Sequence, residues 1–237
     1  MIAFAYLIEP PFNYRDHDGT ITGCDIELAR TVLGMMGFLD IELIEAEFAQ
    51  LLPGLQNGRW RMTTGLFATE ERRQLVAFSR PIWALPDGLL VTKGNPFGLT
   101  GYRTVARTGA CMLAVVRDQI QHRTAIEFDV PDERILIFET YGEAAGAVLD
   151  GRAAAYASVA RAHSGFIEQG DDVPLEVVTV GAEEREPAVG CFGFGKSDVG
   201  FMRAIDDALA AYLGSREHRS MMSRFGFSEA EIDLVAS

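Results

Sequence analysis

Along most of the chain, short apolar runs alternate with segments whose apolar residues recur at helical spacing. A short apolar run between turn signals reads as a buried strand, and apolar residues at i, i+3, i+4 and i+7 read as one face of a helix. Residues 2–8 predict a strand, followed by the loop PPFNYRDHDGT with a turn at Asp18-Gly19. Asp25 to Met36 predicts a helix, with Ile26, Ala29, Val32, Leu33 and Met36 on one face and Gly37 as its stop. Strands are expected at Ile41 to Ala46, Trp60 to Leu66 and Leu89 to Thr92. A short helix at Gln50 to Gln56 lies between the first two, and a further helix opens at Thr69.

After the break KGNPFGLTGY a second alternation begins. It reads as a strand near 103–107, a helix near 111–122 and a strand at 135–138 (ILIF). Thr140 and Glu143 form a capping-box pattern for a helix that ends at Gly151. Strands near 154–157 and 175–180 follow, then the strand-like AVGCFGF. The helix from Phe201 to Leu213 aligns Met202, Ile205, Leu209, Tyr212 and Leu213. Such alternation predicts an α/β protein with largely parallel sheets. Each run is short for a whole doubly wound domain. The expected organisation is therefore two lobes joined by crossover strands near 89–93 and 189–194: residues 1–91, 92–189 and a return to the first lobe over 190–237. A cleft between domains is a preferred ligand site.

Composition narrows the function. The 237 residues are 48% hydrophobic, enough for a sizeable core, and 34 acids against 21 Lys and Arg give a net charge of −13. That balance argues against nucleic acid and against docking on an anionic membrane surface. No apolar run reaches the length of a membrane span. The N-terminus reads as a strand rather than a leader, so the chain is expected to be a mature periplasmic form, its signal peptide removed, or an excised domain. Cys24, Cys111 and Cys191 are isolated and odd in number, and are expected as small buried residues. His17, His122, His163 and His218 show no metal-ligand spacing and are expected at the surface. The glycines of GCFGFG follow no strand-to-helix nucleotide pattern. No cofactor or metal is expected.

The stretch TTGLFATEERR carries the chemistry. It runs from strand into a charged helix, with Phe67 at the corner and Arg72 five residues on. Alone, Phe67 reads first as a core residue and Arg72 as one more solvated charge beside Arg73.

The ordered set EPPFNYRDHDGTITGCDIELARTVL, FAQLLPGLQNGRW, TTGLFATEERRQLVAFSRPIW, LLVTKGNP and VGCFGFGKSDVGFMRAIDDALAAYL resembles bacterial solute-binding proteins of the polar amino-acid class. These have the two-lobed type II periplasmic binding fold. Within the class the chain is most similar to the ectoine/hydroxyectoine-binding receptors of ABC importers, through Glu9 and Phe12, Phe48 before LLPGL, Phe67, and the ending EHRSMMSRFGFSEAE. The resemblance implies binding without chemistry: a small zwitterionic solute held between lobes that close on it, delivered to a membrane permease by a monomeric receptor. It implies that Arg72 holds the ligand carboxylate. Phe12, Phe48 and Phe67 would box a cationic ring, with Glu9 as the acidic partner. Gly65 in the same strand, and Ala110, Cys111 and Ser158 in the second lobe, complete the expected ligand-binding set. The physics agrees. A planar guanidinium fork suits a carboxylate, aromatic faces suit a delocalised cation, each worth about 0.5–2 kcal/mol when desolvated, and a carboxylate accepts ring N–H groups. Plainer roles stand beside these: Phe12 as a lid over the core, Phe48 as a hydrophobic staple, and Glu9 as a surface acid beside Pro10.

The chain departs from the family pattern at three places. Ala154 in GRAAAYAS replaces the Asp that meets a ligand ammonium, which disfavours ordinary α-amino acids, because an unpaired buried ammonium is costly. TGACML stands where the family carries Gly-Thr-Thr, leaving Ala110 and Cys111 in place of hydroxyls, with backbone N–H groups of the following helix as the remaining donors. Arg61 replaces an Asp. Two other ligand classes stay open, a polar amino acid and an opine-like compound, as does use of the module as a sensor. Dehydratase chemistry would need a positioned acid or base, for which Glu9 is the one candidate in the expected cleft. Trp60 and Trp83 are expected as packing.

Overall fold

The computed structural model describes residues 1–236. In the first part of the chain lie β1 (Ile2–Tyr6), the short hairpin β2 (Tyr14–Arg15) and β3 (Ile21–Thr22), α1 (Cys24–Met35), β4 (Ile41–Glu45), α2 (Phe48–Gln56), β5 (Met62–Phe67), α3 (Glu70–Leu75) and β6 (Ala77–Leu85). Then follow β7 (Asp87–Thr92), α4 (Tyr102–Arg107), β8 (Leu113–Val116), α5 (Ile120–Glu127), β9 (Ile135–Phe138), α6 (Tyr141–Leu149), β10 (Ala155–Val159), α7 (Ala160–Ile167) and β11 (Leu175–Thr179). The chain ends with β12 (Ala188–Phe194), α8 (Val199–Tyr212), α9 (Arg216–Arg224) and α10 (Glu229–Asp233).

The chain folds as two compact units, one of Met1–Ala84 plus the segment from Val189 onward, the other of Leu85–Ala188. The first unit holds a five-stranded sheet in the order β4-β1-β5-β12-β6. In it β1 runs parallel to β4 and β5, while β12 is antiparallel to β5. The second unit's sheet has the order β11-β7-β10-β8-β9, with β8 parallel to β9 and β10, and β7 antiparallel to β10 and β11. Both sheets are therefore mixed rather than largely parallel.

Local chemistry explains most element ends. Helix α1 buries Ile26, Leu28, Ala29, Val32 and Leu33, and stops where Gly37 adopts a φ of +84°, a conformation that favours glycine. The expected capping box is formed at α6: Thr140 Oγ1 accepts from the Glu143 N–H at 3.2 Å, and Glu143 accepts from the Thr140 N–H at 3.1 Å. In the first core, Phe4 and Phe192 meet edge to face at 6.0 Å, so the returning strand is sealed to the first one.

Two expected elements are reversed. Residues 103–107 are helical, because Tyr102 and Val105 lie one turn apart and are both fully buried, and Thr104 caps back onto Gly101. Residues 113–116 form a central strand rather than the first turns of a helix: all four are buried, as a strand covered on both faces requires. The helix after it starts only at Ile120. Two histidines expected at the surface, His163 and His218, are fully buried.

Candidate functional site

The expected site residues of the first unit occupy the turn after β1, the start of α2, and the corner from β5 into α3. Glu9 and Asn13 pair through their backbones, with Glu9 N–H donating to Asn13 at 2.9 Å and Asn13 N–H to Glu9 at 3.1 Å. This tight turn presents Phe12 to the interior, where it is 3% exposed. Glu9 itself is nearly covered. Phe12 packs on Trp83 of β6, ring centres 5.1 Å apart and planes tilted by 34°, and meets Phe227 edge-on at 6.4 Å. Half-buried Phe67, the last residue of β5, stands edge-on to the same indole at 5.5 Å.

Arg72 lies in α3, whose first N–H groups are capped by Thr69, its Oγ1 accepting from Arg72 N–H at 3.3 Å. The guanidinium folds back over the helix start: Nη1 donates to the Phe67 carbonyl at 3.1 Å, and the group sits 5.2 Å from the centre of the Phe48 ring. Phe48, the first residue of α2 and 8% exposed, is thus a platform for Arg72. The structure brings Phe12 and Phe67 together on Trp83, and Phe48, Phe67 and Arg72 together around the guanidinium.

Gly65 has no side chain because the indole of Trp83 lies there: a Cβ would come within 2.8 Å of the ring. Gly190 of β12 is covered by the same ring, at 2.2 Å. The Gly65 N–H donates to the Asp25 carboxylate at 2.8 Å.

In the second unit, Cys111 is fully buried in the apolar core with Leu89, Val105, Leu113 and Val115, and burial pushes its thiol pKa up. Its side chain is engaged in packing before β8 begins, so the expected stand-in for a ligand-binding hydroxyl is a core residue. Ala110 is exposed in the turn ahead of it. The start of the helix after this strand lies instead at Gln119 and Ile120. Ser158 is buried in β10, paired in register with Gly88. Ala154, which takes the place of the family Asp, donates its N–H to Met112 at 2.8 Å. Arg61 serves packing: it pairs with Asp198 through Nε at 2.5 Å and Nη2 at 3.2 Å, and lies over Phe201 at 3.8 Å, pinning the start of α8.

Sequence reasoning placed Trp83 in packing, where the structure also has it, but not as the ring that gathers Phe12 and Phe67, and it passed over Asp25. Trp83 sits in a continuous apolar strand and looks like packing. Asp25 carried a usable signal: it falls on the stripe 25, 29, 32, 36 that α1 turns inward, an acid at a position that calls for an apolar residue. No group of three His, Cys, Asp or Glu able to hold a metal occurs among the described residues, and no described helix is long and apolar enough to cross a membrane.

Two α/β units, one interrupted and completed by the C-terminal return, define a two-lobed periplasmic binding fold. The chain belongs to the bacterial extracellular solute-binding proteins, family 3, whose model matches residues 2–228. It is a binding protein rather than an enzyme. It is 30% identical over 242 residues, 99% of this chain and 79% of the relative, to the probable amino-acid ABC transporter periplasmic-binding protein y4tE of Sinorhizobium fredii (strain NBRC 101917 / NGR234). Among solved structures it is similar to EhuB in complex with hydroxyectoine, at 28% identity and a TM-score of 0.86, covering 98% of this chain and 91% of that one. An ancestral arginine-binding protein bound to glutamine shares the fold at 20% identity and a TM-score of 0.83, covering 94% and 96%.

Proposed function

We propose that the protein is the periplasmic receptor of an ABC importer and captures a small zwitterionic compatible solute such as ectoine or hydroxyectoine, acting as a monomer that hands its solute to a membrane permease. The observation that carries this is the first unit's corner, where an arginine on an aromatic platform adjoins rings gathered on Trp83. Ectoine joins a carboxylate to a ring with a delocalised amidinium. Arg72 suits the first and Phe67 the second, with Glu9 as acceptor for the ring N–H groups. The similarity to EhuB supports the ring-bearing solute.

The competing ligand is a polar amino acid or an opine-like compound, favoured by the name of the Sinorhizobium relative. The absence of an acid at Ala154 weighs against a primary ammonium. Calorimetric titration of ligand-stripped protein with ectoine, hydroxyectoine, glycine betaine, proline, glutamate and arginine decides between them. Micromolar or tighter binding restricted to the ectoines is expected; binding of an amino acid with none of ectoine would reassign the ligand.

A further inference from the structure

Asp25 is a fully buried carboxylate outside the residues proposed to touch the solute. Four donors converge on it, one of them the neighbouring Cys24 thiol, whose Sγ donates to Oδ1 at 3.7 Å. Trp83 Nε1 donates to Oδ1 at 3.1 Å, while Thr64 Oγ1 and the Gly65 N–H donate to Oδ2 at 2.6 and 2.8 Å. Thr64 Oγ1 in turn accepts from Asn13 Nδ2 at 2.8 Å. One side chain thereby ties together α1, the turn that carries Glu9 and Phe12, strand β5 leading to Phe67, and strand β6 carrying Trp83.

We propose that Asp25 is a positioning residue for the solute site, fixing the Trp83 indole as the common wall on which Phe12 and Phe67 rest. The indole has one orientation available. Gly65 and Gly190 leave room for the ring and would clash with it if either carried a Cβ. The N–H bond to Asp25 sets its rotation within that slot. Phe12 leans on it at 34° and Phe67 meets it at 76°, so the angle between these two rings follows from the indole. A buried carboxylate is a poor source of stability, since similar-sized apolar groups often serve as well. What it adds here is direction: one oxygen accepts from β5 and the other from β6, and Thr64 passes the tie on to Asn13, whereas an amide would turn a donor towards one of the two strands and an apolar group accepts from neither. Burial raises the Asp25 pKa while the hydrogen bonds from Thr64, Gly65, Trp83 and Cys24 oppose that rise, as expected of a carboxyl held for its acceptors.

This inference rests on the ectoine-type reading for its ligand but not for its geometry. Trp60 and Trp83 are the two tryptophans, so Trp60→Phe leaves Trp83 as the sole emitter. In that parent, Asp25→Asn is expected to shift the Trp83 emission without ligand and to weaken ectoine binding at least tenfold by calorimetry. In a Trp83→Phe background the same Asp25→Asn change is expected to alter affinity several-fold less than in the parent, because the indole it orients is gone. Unchanged emission, ectoine affinity within twofold of the parent, or independent multiplication of the two effects would each overturn the proposal. Should Asp25→Asn fail to fold, Trp83→Phe alone decides, because it keeps a ring and removes the donor. Tenfold weaker ectoine binding at an unchanged thermal midpoint supports the proposal, and binding within twofold sinks it. A parent that binds no ectoine counts against the proposed ligand instead, and the emission of ligand-free Asp25→Asn then decides this point by itself.

Discussion

The guanidinium of Arg72 rests 5.2 Å from the centre of the Phe48 ring while its Nη1 donates to the carbonyl of Phe67. Two anchors, one aromatic and one backbone, hold the fork in place before any anion arrives. A preorganised charge loses less entropy on binding than a free one. Arg72→Ala is expected to remove about 1.5–3 kcal/mol of carboxylate binding, a loss of roughly tenfold to a hundredfold. Arg72→Lys keeps the charge and loses the fork, so it should recover only part of the affinity. Calorimetry with ectoine measures both; wild-type affinity in Arg72→Ala would remove the carboxylate role.

Phe67 should discriminate among solutes. Phe67→Ser deletes a ring worth about 0.5–2 kcal/mol to a delocalised cation and adds a hydroxyl that an amino-acid ligand can use. Ectoine affinity is expected to fall several-fold by calorimetry, while whatever weak glutamate binding the parent shows does not fall. Equal losses for the two would show that the ring packs without selecting.

Gly190 tests the slot that holds Trp83. A methyl there would sit 2.2 Å from the indole. Gly190→Ala is expected to destabilise the protein by about 1–3 kcal/mol, the usual cost of overpacking, read from the urea midpoint. Gly142→Ala is the control: it lies in α6 with nothing within 4 Å of a new Cβ, and helix propensity predicts a gain of up to about 1 kcal/mol.

These sites show how much was legible. The strand at residues 135–138 and helix α1 followed directly from apolar period, as did the strand-to-helix corner that carries Phe67 and Arg72, while the ligand role given to those two came from the family resemblance and not from the corner. Tyr102 to Arg107 misled because Tyr, Thr and Val favour strands, while burial of Tyr102 and Val105 on one helical face prevailed. The run CMLAVV is apolar throughout, so period alone could not tell strand from helix. The role of Trp83 was invisible for another reason. The residues that define its place, Asp25, Gly65 and Gly190, come from three distant parts of the chain, and no local pattern links them.

His163 sets an acid limit. It is fully buried, Nδ1 2.7 Å from the Tyr141 hydroxyl and Nε2 3.2 Å from the Gly88 carbonyl, and burial pushes its pKa down to about 3. The unfolded chain protonates it near 6.5, so the unfolded state binds the proton first as pH falls. Stability from this residue is complete above about 6.5 and declines towards 3, at a slope approaching about 1.4 kcal/mol per pH unit. Denaturant titrations at pH 7, 5 and 4 should show a shallower decline in His163→Gln than in the parent. Parallel pH curves would place the acid sensitivity elsewhere.

Strand β12 lies between β5 and β6 in the first sheet, yet it belongs to the returning segment of the chain. During synthesis from the N-terminus, β5 and β6 emerge early and cannot be joined until β12 follows. The second unit, Leu85–Ala188, is contiguous and is complete before that happens. The half of the molecule bearing Phe12, Phe67 and Arg72 is therefore the last to close its sheet, and a chain cut short before Ala188 would carry every one of those residues on a split scaffold.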